Sequence, residues 1–315
     1  MELQNYERIH QEIEKKFLKM KQEHPEYFKE SLKFSWSNWG FGIEKLETSV
    51  KRLKKFDIEY IELHGNHYGV DLGYSVKETK QILKEYGISC GGVCGMFSPE
   101  CDLSSNLPRH RQAAIDYLKR EIEFTAEMGG EYLLVVPAAV GRAKAYDATE
   151  LERSTESILA VADLFVKYGV KAAIEPVRSA ETSLVHTIAE AKRYIKVVDH
   201  PGIQHINGDV YHMQSEETNI SKAILEAGEA LVNLHLADSN RCALGSGSMD
   251  IDHIIMALYL LKYNQKRCFV TPEPLGPGGD PYPAMNGKPD SAFLDALVKE
   301  SVFYFRKREK LLCSL

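Results

Sequence analysis

Glu175, Asp209, His235 and Glu273 stand at corresponding places in four successive strand-like stretches: VKAAIE, IQHING with the Asp directly after it, LVNLHL, and RCFVTPE. Three carboxylates and one imidazole make an oxygen-rich donor set. It suits Mn2+, Mg2+ or Co2+ better than a structural zinc site, which usually recruits thiolates. If the four strands run parallel, their carboxyl ends share one edge of the sheet, and in a (β/α)8 barrel those ends surround one pocket. One acid at a strand end means little by itself. Four ligand-type residues at successive ends point to a divalent-metal centre.

Such a centre needs elements that bring distant residues together. Runs rich in Val, Ile, Leu and aromatics alternate with amphipathic, charge-rich segments of helical length, the pattern of repeated βα units. Eight strands are expected: LKFSW (32–36), IEYIEL (58–63), SCGGVCG (89–95), YLLVVP (132–137), VKAAIE (170–175), IQHING (203–208), LVNLHL (231–236) and RCFVTPE (267–273). Helices such as IEKLETSVKRLKKF and ATELERSTESILAVADLFVKY lie between them, with Gly closing KYGV, EYGI and EAGEAL as a left-handed cap requires. The fold class is therefore α/β, a (β/α)8 TIM barrel over residues 32–315. An N-terminal helical extension precedes it at 1–31, expected to cap the barrel floor or dock a partner. The long loop PLGPGGDPYPAMNGKPD after Glu273 follows strand 8 and is expected to form a lid or wall.

The chain has 315 residues, 44% of them hydrophobic and 27% charged, with a net charge of −6. A pI near 6.0 offers no general attraction to a phosphate backbone, so nucleic acid is not an expected partner. The apolar runs are too short to span a membrane and MELQNYERIH is not a secretory signal, which together imply a cytoplasmic protein. Six cysteines without a CxxC pair are expected to be reduced, with Cys90 and Cys94 on the same side of one strand.

The stretches IEPVRSAE, GDVYHMQSEE, HLADSNR and TPEP resemble the xylose-isomerase-like barrel superfamily of sugar isomerases and epimerases, most closely the D-tagatose and D-psicose 3-epimerases. The resemblance runs from about Leu32 to Leu311. It implies one divalent ion, Mn2+ by preference, on Glu175, Asp209, His235 and Glu273, with Glu181, His212 and Arg241 contacting a keto-sugar. It also implies that Glu175 and Glu273 act as the catalytic pair, exchanging the proton next to the carbonyl through a metal-stabilised enediolate. Each residue type suits its task. A Lewis acid stabilises the enolate charge, a carboxylate moves the proton, and Arg offers fixed charged donors. The blander readings are a hydrogen bond from His212 to a ligand, a surface ion pair of Arg241 with Asp238, and a helix start at Glu181.

In the first half, Trp36 and Trp39 could form an apolar wall for a sugar ring or simply pack in the core. The segment HGNHYG places His64 or His67 where an additional acid or base could stand, and LGSGSMDID reads as a capping turn. The extension, HGNHYG and the long loop depart from the compact epimerases. They keep open a resemblance to the catalytic subunit of a C-glycoside deglycosidase, a lyase that expels the aglycone from a 3-keto C-glycoside and works with a small partner subunit. Either a homo-oligomer or such a complex is expected. An apurinic-endonuclease-like activity is disfavoured by the acidic charge and the single ligand set, and a non-catalytic sugar sensor by retention of both Glu residues with Arg241.

Overall fold

The strand-like runs assemble into one parallel sheet. In the computed structural model, which describes residues 4–65, 74–276 and 290–314, the strands are β1 (Tyr60–His64), β2 (Ser89–Cys94), β3 (Tyr132–Val135), β4 (Lys171–Ile174), β5 (His205–Asp209), β6 (Leu231–Leu236) and β7 (Phe269–Pro272). They lie in chain order, each parallel to the next. The expected first strand, LKFSW, is instead a closing stave held by isolated bridges, Phe34 to Val270 and Ser37 to Glu62. Ser35 N and Ser37 N donate to Val270 O and Pro272 O at 2.8 and 3.2 Å, while Trp36 O accepts from Glu62 N at 2.9 Å. The segment thus joins β7 to β1, and a 3-10 turn at Asn38–Phe41 ends it before a regular ladder can build.

The helices are α1 (Asn5–Glu23), α2 (Leu46–Lys55), α3 (Val76–Tyr86), α4 (Pro108–Met128), α5 (Glu150–Tyr168), α6 (Ile188–Val198), α7 (Val210–Glu216), α8 (Ile220–Ala227), α9 (Ile251–Leu260) and α10 (Ser291–Cys313). Helix α5 buries Ile158, Val161, Ala162 and Phe165, the three-and-four spacing of one helical face. Burial of each large side chain contributes about 1.5–3 kcal/mol. Gly169 ends α5 at φ 68°, as its KYGV signal predicts; Gly228 ends α8 at φ 59° and ψ −134°, outside the left-handed helical region. Inside the barrel, Tyr132 reaches across toward β1. It can do so because Gly92 has no side chain: a Cβ there would lie 2.4 Å from the Tyr132 ring.

Helix α1 does not cap the floor. It lies lengthwise along the outer wall beside α9, with Phe17 packed edge-on to Phe28 and Tyr259 and with Lys21 Nζ bonded to Leu312 O at 2.8 Å. An amphipathic helix has the same apolar stripe whether it covers a floor or a wall, which is why the pattern alone left its location open. Its upper end is pinned by His253, whose Nδ1 meets Asp250 at 2.8 Å and whose Nε2 meets Glu14 of α1 at 3.2 Å. His10 stacks on the His253 ring with centroids 3.9 Å apart and accepts a hydrogen bond from Asn219 Nδ2.

Burial opposes the charged form of His253, but its hydrogen bonds to Asp250 and Glu14 and their charges outweigh that and raise its pKa above 6.5. Its contribution to stability is therefore complete below the unfolded value and disappears as pH rises through the higher folded value. His10 acts in the opposite sense: burial, and then the His253 charge, lower its pKa, so protonating it costs stability in acid. The difference between wild type and His253→Asn measures the clamp together with the relief of His10 from the His253 charge. In thermal unfolding that difference is expected to be about 1 kcal/mol or less near pH 6 and to vanish by pH 9. A pH-independent difference would show that His253 holds α1 by packing rather than charge.

Candidate metal centre

The four expected ligands converge. Asp209 is the last residue of β5 and pairs in register with His235 of β6, while Glu175 and Glu273 directly follow β4 and β7. Their backbones are fixed to the adjoining strands, Glu175 N to Val135 O at 3.0 Å and Glu273 N to Leu236 O at 2.9 Å. All four side chains are buried. His235 Nδ1 lies 3.5 Å from Glu175 Oε1 and 3.4 Å from Glu273 Oε1, so two carboxylates face one imidazole nitrogen. Ligand atoms of Glu175, Asp209 and His235 all lie within 4.8 Å of one another.

The other imidazole nitrogen meets a residue that the sequence reading missed. Glu62 of β1 is fully buried and lies 2.9 Å from His235 Nε2. It is held in turn by the Tyr132 hydroxyl at 2.6 Å and by Asn233 Nδ2 at 3.3 Å. Asn233 Nδ2 also donates to Asn207 Oδ1 at 2.8 Å, Asn207 Nδ2 donates to Glu175 Oε1 at 2.7 Å, and Thr271 donates to Asn233 Oδ1 at 2.6 Å. A polar layer from β1, β3, β5, β6 and β7 thus lies beneath the ligands and fixes which way they point. If Nε2 keeps its proton toward Glu62, a cation that displaces the proton from Nδ1 would meet a lone pair aimed at the cluster, the carboxylate–histidine–metal arrangement.

These residues fit a divalent cation. Asp209 Oδ2 is buried without a hydrogen bond, although His212 Nε2 stands 3.3 Å away. The other oxygen, Oδ1, accepts from Tyr211 N at 2.8 Å and caps α7. Burial raises the pKa of Glu175, and burial together with the Glu273 charge raises that of Asp209. Burial works against protonation of His235, yet the Glu273 and Glu62 charges prevail and raise it. For Glu273, burial is outweighed by the His235 and Arg241 charges, which lower it. So many negative groups gathered in a buried space call for compensating positive charge, and oxygen-rich donors select a hard or borderline ion. Cys94, whose thiol burial pushes up, groups with Glu62 and Glu273; all six cysteines are free.

His212 and Arg241 stand beside this cluster. Both are buried, and His212 Nδ1 and Arg241 Nε have no hydrogen-bond partner among the described residues. Burial and then the Arg241 charge lower the His212 pKa, so a neutral imidazole faces the site. Arg241 adopts φ 58°, in the left-handed region that residues other than glycine seldom occupy, so its backbone is strained beside the cluster. Its N donates to Asp238 O at 2.7 Å, and its O accepts from Leu275 N and Gly276 N. Asp238 makes no side-chain ion pair with it. That carboxylate instead collects Ser239 N, Gly245 N and Met249 N, using amides of the LGSGSMDID turn.

Glu181 lies in the loop after β4, not at a helix start, and is ion-paired with Arg178. Trp36 is buried and stacked on Phe41, so it belongs to the packing; Trp39, three residues on, stands 5.4 Å from the Arg241 guanidinium. His64, the last residue of β1, is buried, and its backbone N donates a hydrogen bond to Asn38 Oδ1 at 2.8 Å. His67 and most of the loop after Glu273 lie outside the described residues. Among those residues no helix is long and apolar enough to cross a membrane.

Comparison with known proteins agrees with this architecture. The ketose 3-epimerase of Arthrobacter globiformis is 28% identical over 226 residues, spanning 71% of this chain and 76% of that protein. The 3-dehydro-D-guloside 4-epimerase of Escherichia coli (strain K12) is 26% identical over 229 residues, 70% of this chain and 84% of its own length. The crystal structure of a D-allulose 3-epimerase from Methylomonas sp. in complex with D-allulose superimposes with a TM-score of 0.74 at 22% identity, over 89% of this chain and 98% of that one. The family profile described as xylose isomerase-like TIM barrel matches residues 50–283, and the chain belongs to that family.

Proposed function

We propose that this protein is a metal-dependent sugar epimerase acting at the carbon next to the carbonyl of a keto-sugar. The observation that carries the reading is the placement of Glu175 and Glu273 on the same His235 nitrogen, with Asp209 alongside. The curated relatives support it, since a ketose 3-epimerase and a 3-dehydro-guloside 4-epimerase are each named for a carbon that adjoins a ketone. Glu175, Asp209, His235 and Glu273 would hold the cation, Mn2+ by preference. When bound, it stabilises negative charge developing on the substrate's keto oxygen. Glu175 and Glu273, as a pair of carboxylates, remove the proton from one face of the carbon and return it on the other. His212 and Arg241 bind hydroxyl and keto oxygens with the donors that the protein leaves unused. The free cysteines fit a reducing compartment such as the cytoplasm.

Two substrate classes share this first proton transfer, a free 2-ketose and a glycoside carrying a 3-keto group. Elimination of an aglycone from the same enolate is the third outcome. The test incubates the protein with Mn2+ in D2O with fructose, psicose or a 3-keto-glucoside. Deuterium is expected at C3 of the ketose or at the carbon beside the keto group of the glucoside, with the epimer appearing in step. Release of an aglycone would assign the lyase reaction instead. No exchange with any of the three, while metal stays bound, would overturn the epimerase reading.

A further inference from the structure

Tyr211, in the first turn of α7, connects residues of the site that have no bond to each other. The Arg241 guanidinium carbon lies 4.0 Å from its ring centroid and that of Arg178 lies 4.7 Å away. Both guanidinium groups are thus within cation–π distance of the one ring. The stack continues at both ends, through Trp39 beside Arg241 and through the ion pair of Arg178 with Glu181. It therefore runs Glu181, Arg178, Tyr211, Arg241, Trp39, crossing the loop after β4, the start of α7, the loop after β6 and the turn after the closing stave.

What Arg241 lacks gives this stack its meaning. Its side chain is buried, and among the described residues Nε has no partner and no carboxylate is bonded to the guanidinium. Orientation then comes from ring faces, which hold the plane of a guanidinium while leaving its in-plane N–H donors available. The middle of the stack is fixed to the proposed metal centre, because Asp209 Oδ1 accepts from Tyr211 N at 2.8 Å.

We propose that Tyr211 is a positioning residue that sets the plane of the Arg241 guanidinium for the substrate oxygens, with the Arg178–Glu181 pair bracing the ring. This rests on the reading of Arg241 as a substrate contact. The ring does the work, and the phenol oxygen is dispensable.

The test uses the full-length Mn2+-loaded protein with whichever keto-sugar exchanges in D2O. Tyr211→Leu is expected to lower kcat about tenfold, with metal occupancy and Tm unchanged, and Tyr211→Phe to stay within about twofold of wild type. In an Arg241→Leu background, Tyr211→Leu is expected to cost nothing further. An unaffected Tyr211→Leu variant, a Tyr211→Phe variant as impaired as Leu, or a full additional loss in the Arg241→Leu background would each overturn the proposal. A second readout does not need turnover. With 15N-arginine labelling, the Arg241 Nε–H signal is expected to lose its ring-current shift in Tyr211→Leu and keep it in Tyr211→Phe. If no keto-sugar exchanges with wild type, the epimerase reading fails, and the NMR comparison still decides whether Tyr211 holds Arg241.

Discussion

Glu273→Gln is expected to abolish epimer interconversion, by about 10²–10⁴-fold, while leaving deuterium exchange detectable from only one of the two epimers. The amide keeps the shape of the side chain and one coordinating oxygen, but it cannot accept a proton from carbon. If Glu175 and Glu273 serve opposite faces, the surviving base still removes the proton it normally removes, and can only return it to the same face. Interconversion then stops, and one substrate retains wash-in of solvent label. Some metal affinity is lost as well, because the substitution removes a negative charge next to His235 Nδ1, 3.4 Å away. The assay is therefore run at Mn2+ concentrations that saturate the variant. Glu175→Gln is expected to give the mirror result, with exchange confined to the other epimer. An undiminished rate would remove Glu273 from the chemistry, and equal residual exchange from both epimers would replace the two-base scheme with a single mobile base.

The convergence of these four residues could be read from the sequence because acids and an imidazole at successive strand ends have few other uses, and a parallel barrel turns sequence order into spatial proximity. Glu175, Asp209, His235 and Glu273 are far apart in sequence and adjacent in the sheet for that reason alone. The limits are equally physical. LKFSW has the composition of a strand, but whether it builds a ladder depends on how soon the chain turns, and the turn at Asn38–Phe41 comes immediately. Trp36 and Trp39 have the same chemistry, and only the backbone direction sends one into the packing and leaves the other beside Arg241. Glu62 was passed over as a polar residue in an apolar run. Its signal was parity: Ile61 and Leu63 point outward to the helices, so Glu62 must point into the barrel, where a carboxylate needs partners. Tyr211 sits inside GDVYHMQSEE, but its position between Arg178 and Arg241 left no signal, since those two come from the loops after β4 and β6.

Glu62 gives the second large effect, and its two substitutions separate orientation from folding. Glu62→Gln retains the volume and an oxygen that can accept from His235 Nε2, but loses the charge that holds that ring. Loss of such an outer partner is expected to weaken Mn2+ binding about 10–100-fold. Activity at limiting metal falls in proportion and is recovered by excess Mn2+, since neither the bases nor the sugar contacts are altered. Glu62→Ala is harsher. It takes from His235 Nε2 and the Tyr132 hydroxyl the carboxylate that stands 2.9 and 2.6 Å away in a fully buried space, while Asn233 keeps Asn207. Breaking a buried charged pair in this way costs about 3–5 kcal/mol, so the alanine variant is expected to melt well below wild type as well as to bind metal poorly. Calorimetric Mn2+ titration and thermal unfolding measure the two effects independently. Unchanged affinity in Glu62→Gln would mean that His235 is oriented by the strand and by Asn207 alone. A loss of activity that excess Mn2+ does not restore would place Glu62 in the proton transfer itself.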